Sequence, residues 1–224
     1  MNNNDSWEKI KKAAIASLEH PGGNKKPLPK DTVRPGDNYF IVFRHGESED
    51  NVARVFSGWR DAKLTKKGVE NAKSLSKEVS KLKLDLVITS DLVRSKDTAK
   101  LVLGNNFPNI KWKEDPRIKE RNYGDLNGQS KTEWMKKDPE DTIKWRRSYD
   151  TPPPNGESLK MVEERVKPFL DELIAMIKKE KINVAVSAHG NSMRAIRHIM
   201  ENMDLVTACT HENPLATDYA LYVV

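Results

Sequence analysis

The sequence predicts an α/β fold: a doubly wound, mostly parallel sheet with helices on both faces. Three observations carry this. Short apolar runs rich in β-branched and aromatic residues recur at 39–43, 84–90 and 182–188. Segments with apolar residues three or four apart separate them, as amphipathic helices require. Each run ends in polar residues: Arg44-His45-Gly46, Thr89-Ser90 and His189-Gly190-Asn191.

In chain order, residues 5–20 place Trp7, Ile10, Ala14 and Leu18 at helical spacing, with Asp5 as N-cap and Glu8 three positions on. Residues 21–38 carry four prolines and three glycines and read as an irregular connector. We therefore expect an N-terminal extension over 1–38 and one domain of ordinary size over 39–224. Tyr39–Phe43 is the first strand. Lys66–Leu82 is a helix through Val69, Ala72, Leu75, Val79 and Leu82, and 84–90 is a second buried strand. A helix over 92–104, closed by Gly104, leads to a short strand around Ile110–Trp112. Leu159–Ile177 is a long helix, 182–188 a third buried strand, and Asn191–Met203 the helix after it.

Composition limits function. With 37% apolar and 32% charged residues among 224, and no apolar run near the roughly 18 residues that span a bilayer, the chain reads as a soluble protein without a membrane partner. The single cysteine, Cys209, excludes an internal disulfide and a multi-thiolate metal site, so a reducing, cytoplasmic setting is expected. The N-terminus has neither the apolar core of a secretory signal nor the acid-poor composition of a transit peptide. The net charge of +6 suits an anionic ligand, but no nucleic-acid motif or basic stripe interleaved with aromatics accompanies it.

In open α/β sheets ligands gather beyond the carboxyl ends of the strands, where His45 and His189 arrive together, each followed by glycine. Glycine there lets the backbone turn closely past a ligand, and N–H groups of the next helix favour anions. A neutral imidazole attacks phosphorus without ionisation of a hydroxyl, and arginine forks suit phosphoryl oxygens. Arg44 and Arg94 meet that need. His20, His198 and His211 lack such context.

The motifs "RHGES" and "SAHGNSMRA" resemble the two halves of the histidine phosphatase superfamily signature. "NVARVFSGWRDAKLTKKG", "TSDLVRSKDTA", "RIKERNYGDLNGQSKTE", "WRRSYDTPPP" and "GESL" narrow the resemblance to the cofactor-dependent phosphoglycerate mutases, over about residues 39–220. The resemblance implies a phosphoglycerate mutase-like sheet and a phosphohistidine at His45. Arg44, Arg94 and His189 would surround the phosphoryl group, with Asn51, Gly190 and Asn191 assisting, and Glu120 would serve as acid and base. Ser57 and Gly58 match the family's loop, and Tyr123, Lys131, Arg146 and Arg147 its residues for the substrate carboxylate. The implied reaction interconverts 3-phosphoglycerate and 2-phosphoglycerate, primed by 2,3-bisphosphoglycerate as cofactor and without a metal. Hydrolysis of phosphoglycerates or other small phosphomonoesters is the alternative. Members occur as monomers, dimers and tetramers, so a homo-oligomer is among the expected assemblies.

The chain departs from that pattern in places. Only Asn155 separates "TPPP" from "GESL", where many mutases carry an insertion, and "DYALYVV" at the C-terminus lacks a polar tail. Asp50 and Asn122 stand where Trp and His are common. A thinner cover admits water, so side phosphatase activity is expected.

Overall fold

The computed structural model describes residues 3–19 and 27–224. In chain order the elements are α1 (Asn3–Glu19), β1 (Tyr39–Arg44), α2 (Glu49–Val52), α3 (Lys66–Val79), β2 (Leu86–Thr89), α4 (Val93–Leu103) and β3 (Lys111–Glu114). There follow α5 (Lys131–Lys137), α6 (Pro139–Arg147), α7 (Leu159–Glu180), β4 (Val184–Ala188), α8 (Gly190–Met200), α9 (Leu205–Thr210) and β5 (Ala220–Val223). Among the described residues the sheet has five strands in the order β3-β2-β4-β1-β5. All neighbours pair parallel except β1 with β5. The α/β expectation holds, with an antiparallel edge strand that the sequence reading did not foresee.

Strand alternation divides the core in two. Phe40 and Val42 of β1, Ile88 of β2 and Val186 of β4 pack on one face with Val166, Phe169, Leu170 and Leu173 of α7 and Met193 and Ile196 of α8. Ile41 and Phe43 of β1, Val87 and Ala185 pack on the other with Ala72, Leu75 and Val79 of α3 and Val102 and Leu103 of α4. Each central strand is covered on both sides, which is why its sequence is continuously apolar. Edge strand β3 is exposed along its length and carries Lys111, Lys113 and Glu114, charges that discourage pairing with another chain.

Several boundaries differ from expectation. Asp5 lies within the first turn of α1, which already begins at Asn3, so it is not the N-cap. Gly104 closes α4 as expected, with right-handed φ and ψ. His20 and residues 21–26 of the connector lie outside the described residues. Residues 27–31 run beside β5: the Leu28 N–H donates to Asp218, the Leu221 N–H to the Pro29 carbonyl and the Asp31 N–H to the Leu221 carbonyl. Leu28 is buried in the core beside α7 and β5. Helix α1 packs on α6 and α9. No helix among the described residues is long and apolar enough to cross a membrane.

Candidate active site

The parallel register of β1 and β4 opposes Arg44 to Ala188, so the next residue of each strand, His45 and His189, emerges at the same sheet edge. The His45 N–H donates to the Ala188 carbonyl at 3.0 Å, and the ring centroids lie 5.1 Å apart, tilted by 55°. Strand β2, on the other side of β4, ends beside them with Ser90, and Arg94 follows in the first turn of α4.

Each imidazole is fixed by one partner. His45 Nδ1 lies 2.7 Å from the Gly46 carbonyl, which only accepts, so Nδ1 carries the hydrogen and Nε2 keeps its lone pair. His189 Nε2 lies 2.7 Å from the Ser90 hydroxyl, whose oxygen already accepts the Leu92 N–H. Nε2 is the acceptor that meets the hydroxyl hydrogen among the described residues, and with Ser90 donating to it the ring hydrogen sits on His189 Nδ1, which is buried without a partner among them. Burial, reinforced by the positive charges of Arg94 and Arg44, holds both rings well below their ordinary pKa, so both are neutral at pH 7. The site pairs a lone pair on one ring with an unspent N–H on the other.

The cations around them are anchored through part of their donors. Arg94 donates to the Arg60 and Gly58 carbonyls at 2.7 and 2.9 Å, and Arg44 to the Asn213 carbonyl at 3.0 Å. The Nε groups of Arg44, Arg94, Arg147 and Arg194 are buried with no partner among the described residues. A buried unpaired N–H on an arginine costs stability, and an anion would satisfy it.

Glu120 lies opposite. Its Oε1 accepts from the Arg121 N–H at 2.7 Å, the Asn191 N–H at 3.0 Å and Asn191 Nδ2 at 2.8 Å. Burial alone would raise its pKa, but the Arg121 N–H and the charges of Arg44 and Arg94 outweigh it and bring the carboxyl to about 2. Tyr123 and Lys131 are both brought to about 8. Burial opposes ionisation of Tyr123, but the charges of Arg121 and Lys131 and the Arg121 hydrogen bond together outweigh it; for Lys131 burial is the main cause. Burial lowers Arg146 and Arg194 to about 9, which leaves both protonated at pH 7.

One cavity of about 120 Å³ gathers twelve of the fourteen expected residues: Arg44, His45, Asn51, Ser57, Arg94, Glu120, Tyr123, Lys131, Arg146, Arg147, Gly190 and Asn191. His189 does not line it and lies beside His45. Gly58 does not line it either; it has φ +50, and a Cβ there would sit 1.9 Å from Asn127 Oδ1, so glycine sets the turn whose carbonyl holds Arg94. Gly46 lacks a Cβ for a different reason than expected. A Cβ would lie 2.6 Å from the Gly68 carbonyl, so the close approach is to α3 and not to a ligand.

Residues that the sequence reading did not assign to the site also line the cavity: Ser17, Leu18, Arg54, Arg194, Glu212, Asn213 and Leu215. Arg54 and Arg194 fall inside motifs already noted, and Arg194 lies one turn after Gly190 on α8. Glu212 carries no such signal; it forms a very short ion pair with Arg147 Nη2. Asn122 accepts from the Gly124 N–H and Asn127 Nδ2 and so builds the turn beside Tyr123, while Asp50 is buried against Arg60.

His45, Glu120 and His189 each offer a ligand atom within 4.8 Å of the others, the arrangement a metal ion would use. Arg44 and Arg94 share that space, and their charges disfavour a divalent cation while favouring an anion. Seven cations against two carboxylates line the cavity, the same preference on a larger scale.

The model of the histidine phosphatase superfamily (branch 1) matches residues 40–218. A 2,3-bisphosphoglycerate-dependent phosphoglycerate mutase from Parvibaculum lavamentivorans is 41% identical over 165 residues, covering 71% of this chain and 78% of that protein. A phosphoglycerate mutase from Schizosaccharomyces pombe is 38% identical over 178 residues, covering 77% and 83%. Among solved structures, Bacillus stearothermophilus YhfR superposes with a TM-score of 0.72 at 25% identity, covering 82% of this chain and 90% of its own. A mycobacterial glucosyl-3-phosphoglycerate phosphatase gives 0.72 at 22% identity, covering 83% and 97%, a likeness of fold alone. The chain belongs to branch 1 of the histidine phosphatase superfamily and groups there with the 2,3-bisphosphoglycerate-dependent phosphoglycerate mutases.

Proposed function

We propose that the protein interconverts 3-phosphoglycerate and 2-phosphoglycerate through a phosphohistidine at His45. One observation carries the reading: a single cavity joins the His45–Arg44–Arg94 cluster to further cations on α5, α6 and α8, Lys131, Arg146, Arg147 and Arg194. A site for simple phosphomonoesters needs only the first set, whereas a ligand bearing both phosphate and carboxylate needs both. The names of the relatives, at 36–41% identity, agree with it.

His45 Nε2 attacks the phosphorus, and the P–O bond to the substrate oxygen breaks as the N–P bond forms. Arg44, Arg94 and the Nδ1–H of His189 stabilise the charge on the three equatorial oxygens. Glu120 gives the leaving oxygen its proton and, in the reverse half, takes one from the attacking hydroxyl. At about 2 its pKa is too low for this in the resting site. A bound phosphoryl group offsets the charges of Arg44 and Arg94 that depress it, so substrate binding itself raises Glu120 toward a useful range.

The buried, partnerless Nε groups of Arg44, Arg94, Arg147 and Arg194 fit 2,3-bisphosphoglycerate as cofactor, which when bound supplies the phosphoryl group that loads His45. The same phosphohistidine transfers to water wherever water reaches it, so phosphate release accompanies the mutase reaction. Localisation in the cytoplasm fits this glycolytic reading.

A coupled assay from 3-phosphoglycerate, with and without added bisphosphoglycerate and with phosphate release followed in parallel, tests the proposal. Mutase flux should exceed phosphate release and depend on the primer; release without isomerisation would make the protein a phosphatase. EDTA should leave the rate unchanged, and a loss restored by manganese would overturn the metal-free reading. His45→Ala should abolish acid-labile phosphoryl labelling together with activity.

A further inference from the structure

We propose that α1 is a built-in competitor for the substrate carboxylate, docked on Arg146 by two acceptors that substrate binding displaces. The inference rests on the reading above, in which Arg146 receives that carboxylate.

Arg146 Nη1 donates to the Ala14 carbonyl at 2.7 Å, and Nη2 to Ser17 Oγ at 2.9 Å. The Ser17 hydroxyl donates to the Ala14 carbonyl at 3.0 Å, so two adjacent acceptors meet the two terminal nitrogens of one guanidinium. A carboxylate presents two oxygens to an arginine fork in this way. Ser17 and Leu18 line the cavity itself, so the docked helix occupies space at the binding site and not at a distance from it.

The contact is built to be released. Both of its acceptors are neutral, whereas a ligand carboxylate adds the attraction of a full negative charge to the same guanidinium fork. Of the α1 side chains described only Ala14 is buried, and Ile15 is 38% exposed. Most of the stability of a helix in a protein comes from its packed face, so the hold of the 17-residue α1 depends on this face against α6 and α9. The polarity also fits: no basic residue occupies its last turn, and the negative end of the helix faces the cationic cavity. Arg147, the neighbouring cation, is likewise engaged, by Glu212. Before substrate arrives, both α6 arginines are thus held by acceptors of the chain itself.

A ligand that must displace α1 binds more weakly by the ratio of docked to released helix, while one that occupies only the His45 cluster does not. Hydrogen exchange on the full chain tests this directly. Amides of residues 5–18 should exchange faster with 3-phosphoglycerate and unchanged with inorganic phosphate. Ala14→Lys, which puts a cation at the buried contact, should lower KM for 3-phosphoglycerate by roughly three- to tenfold and leave inhibition by phosphate unaltered. Ser17→Ala should shift KM the same way by less. Slower exchange with substrate, or a raised KM in both variants, would make α1 a wall of the substrate site and overturn the proposal. Arg146→Ala separates the premise from the inference. If it leaves KM unchanged, the carboxylate reading fails and the competitor with it. If it raises KM while Ala14→Lys changes nothing, only the competitor fails.

Discussion

The Ser90 hydroxyl, 2.7 Å from His189 Nε2, fixes which nitrogen of that ring carries hydrogen. It thereby leaves a buried Nδ1–H with no partner among the described residues, the group proposed to meet a phosphoryl oxygen. Ser90→Ala frees the ring to take the other tautomer and removes two buried hydrogen bonds, one with His189 Nε2 and one from the Leu92 N–H, each worth about 1 kcal/mol. We expect kcat to fall roughly tenfold with KM changed less than twofold, since Arg44 and Arg94, the proposed phosphate-binding groups, remain in place. Steady-state kinetics checks the split; a change confined to KM would show that Ser90 shapes binding instead.

Glu120 is the group whose task and resting pKa disagree most. Glu120→Gln keeps the volume and an acceptor for the Arg121 and Asn191 N–H groups. It removes the proton transfer, so phosphoryl exchange should fall by about 10² to 10⁴ while the fold persists. The loss should be smaller for an aryl phosphate, whose leaving group needs no proton. Equal losses for both substrates would argue that Glu120 supplies only electrostatic balance for Arg44 and Arg94.

Acid should unfold the protein through its neutral histidines. In the unfolded chain histidines titrate near 6.5, whereas His45 and His189 are held well below that and His211 is lowered to about 2, chiefly by burial. Below about pH 6.5 the unfolded state binds more protons, so the stability present above that value is lost on acidification. Each histidine contributes a slope of about 1.4 kcal/mol per pH unit. Glu120, lowered from 4.5 to about 2, adds a further loss between those values. His189→Asn should make the fall of melting temperature between pH 7 and 5 shallower by one proton's slope. Parallel curves would contradict the neutral, buried assignment.

The parts of this site legible in the sequence are those where one periodicity dominates. Strands β1, β2 and β4 are buried on both faces, so their apolar runs and polar ends place His45, Ser90 and His189 without any knowledge of contacts. Strand β5 has the right residues, but its antiparallel pairing with β1 is a property of topology. Short helices α2, α5 and α9 offer too few turns for a period to show. The role of α1 was hidden for another reason. Its apolar spacing was plain, yet Arg146 reaches Ala14 and Ser17 across 129 or more positions, and nothing in either segment names the other.

Glu212 belongs to that same class of unreadable contact, and its removal should show how the site stores positive charge. Its carboxylate sits beside Arg147, and although burial opposes ionisation, the charges of Arg147 and Arg194 keep its pKa below the ordinary value. Glu212→Gln leaves two buried guanidiniums without their counter-charge, a change that costs about 3 kcal/mol, at the low end for buried pairs because the Glu212 side chain is 18% exposed. An anionic ligand restores the balance. Phosphoglycerate should therefore raise the melting temperature of Glu212→Gln by more than it raises that of the unmodified protein, and the variant should bind the ligand more tightly. Calorimetry with and without 3-phosphoglycerate measures both. If ligand and carboxylate contributed independently, the two shifts would be equal, and Arg147 would have no part in holding the substrate.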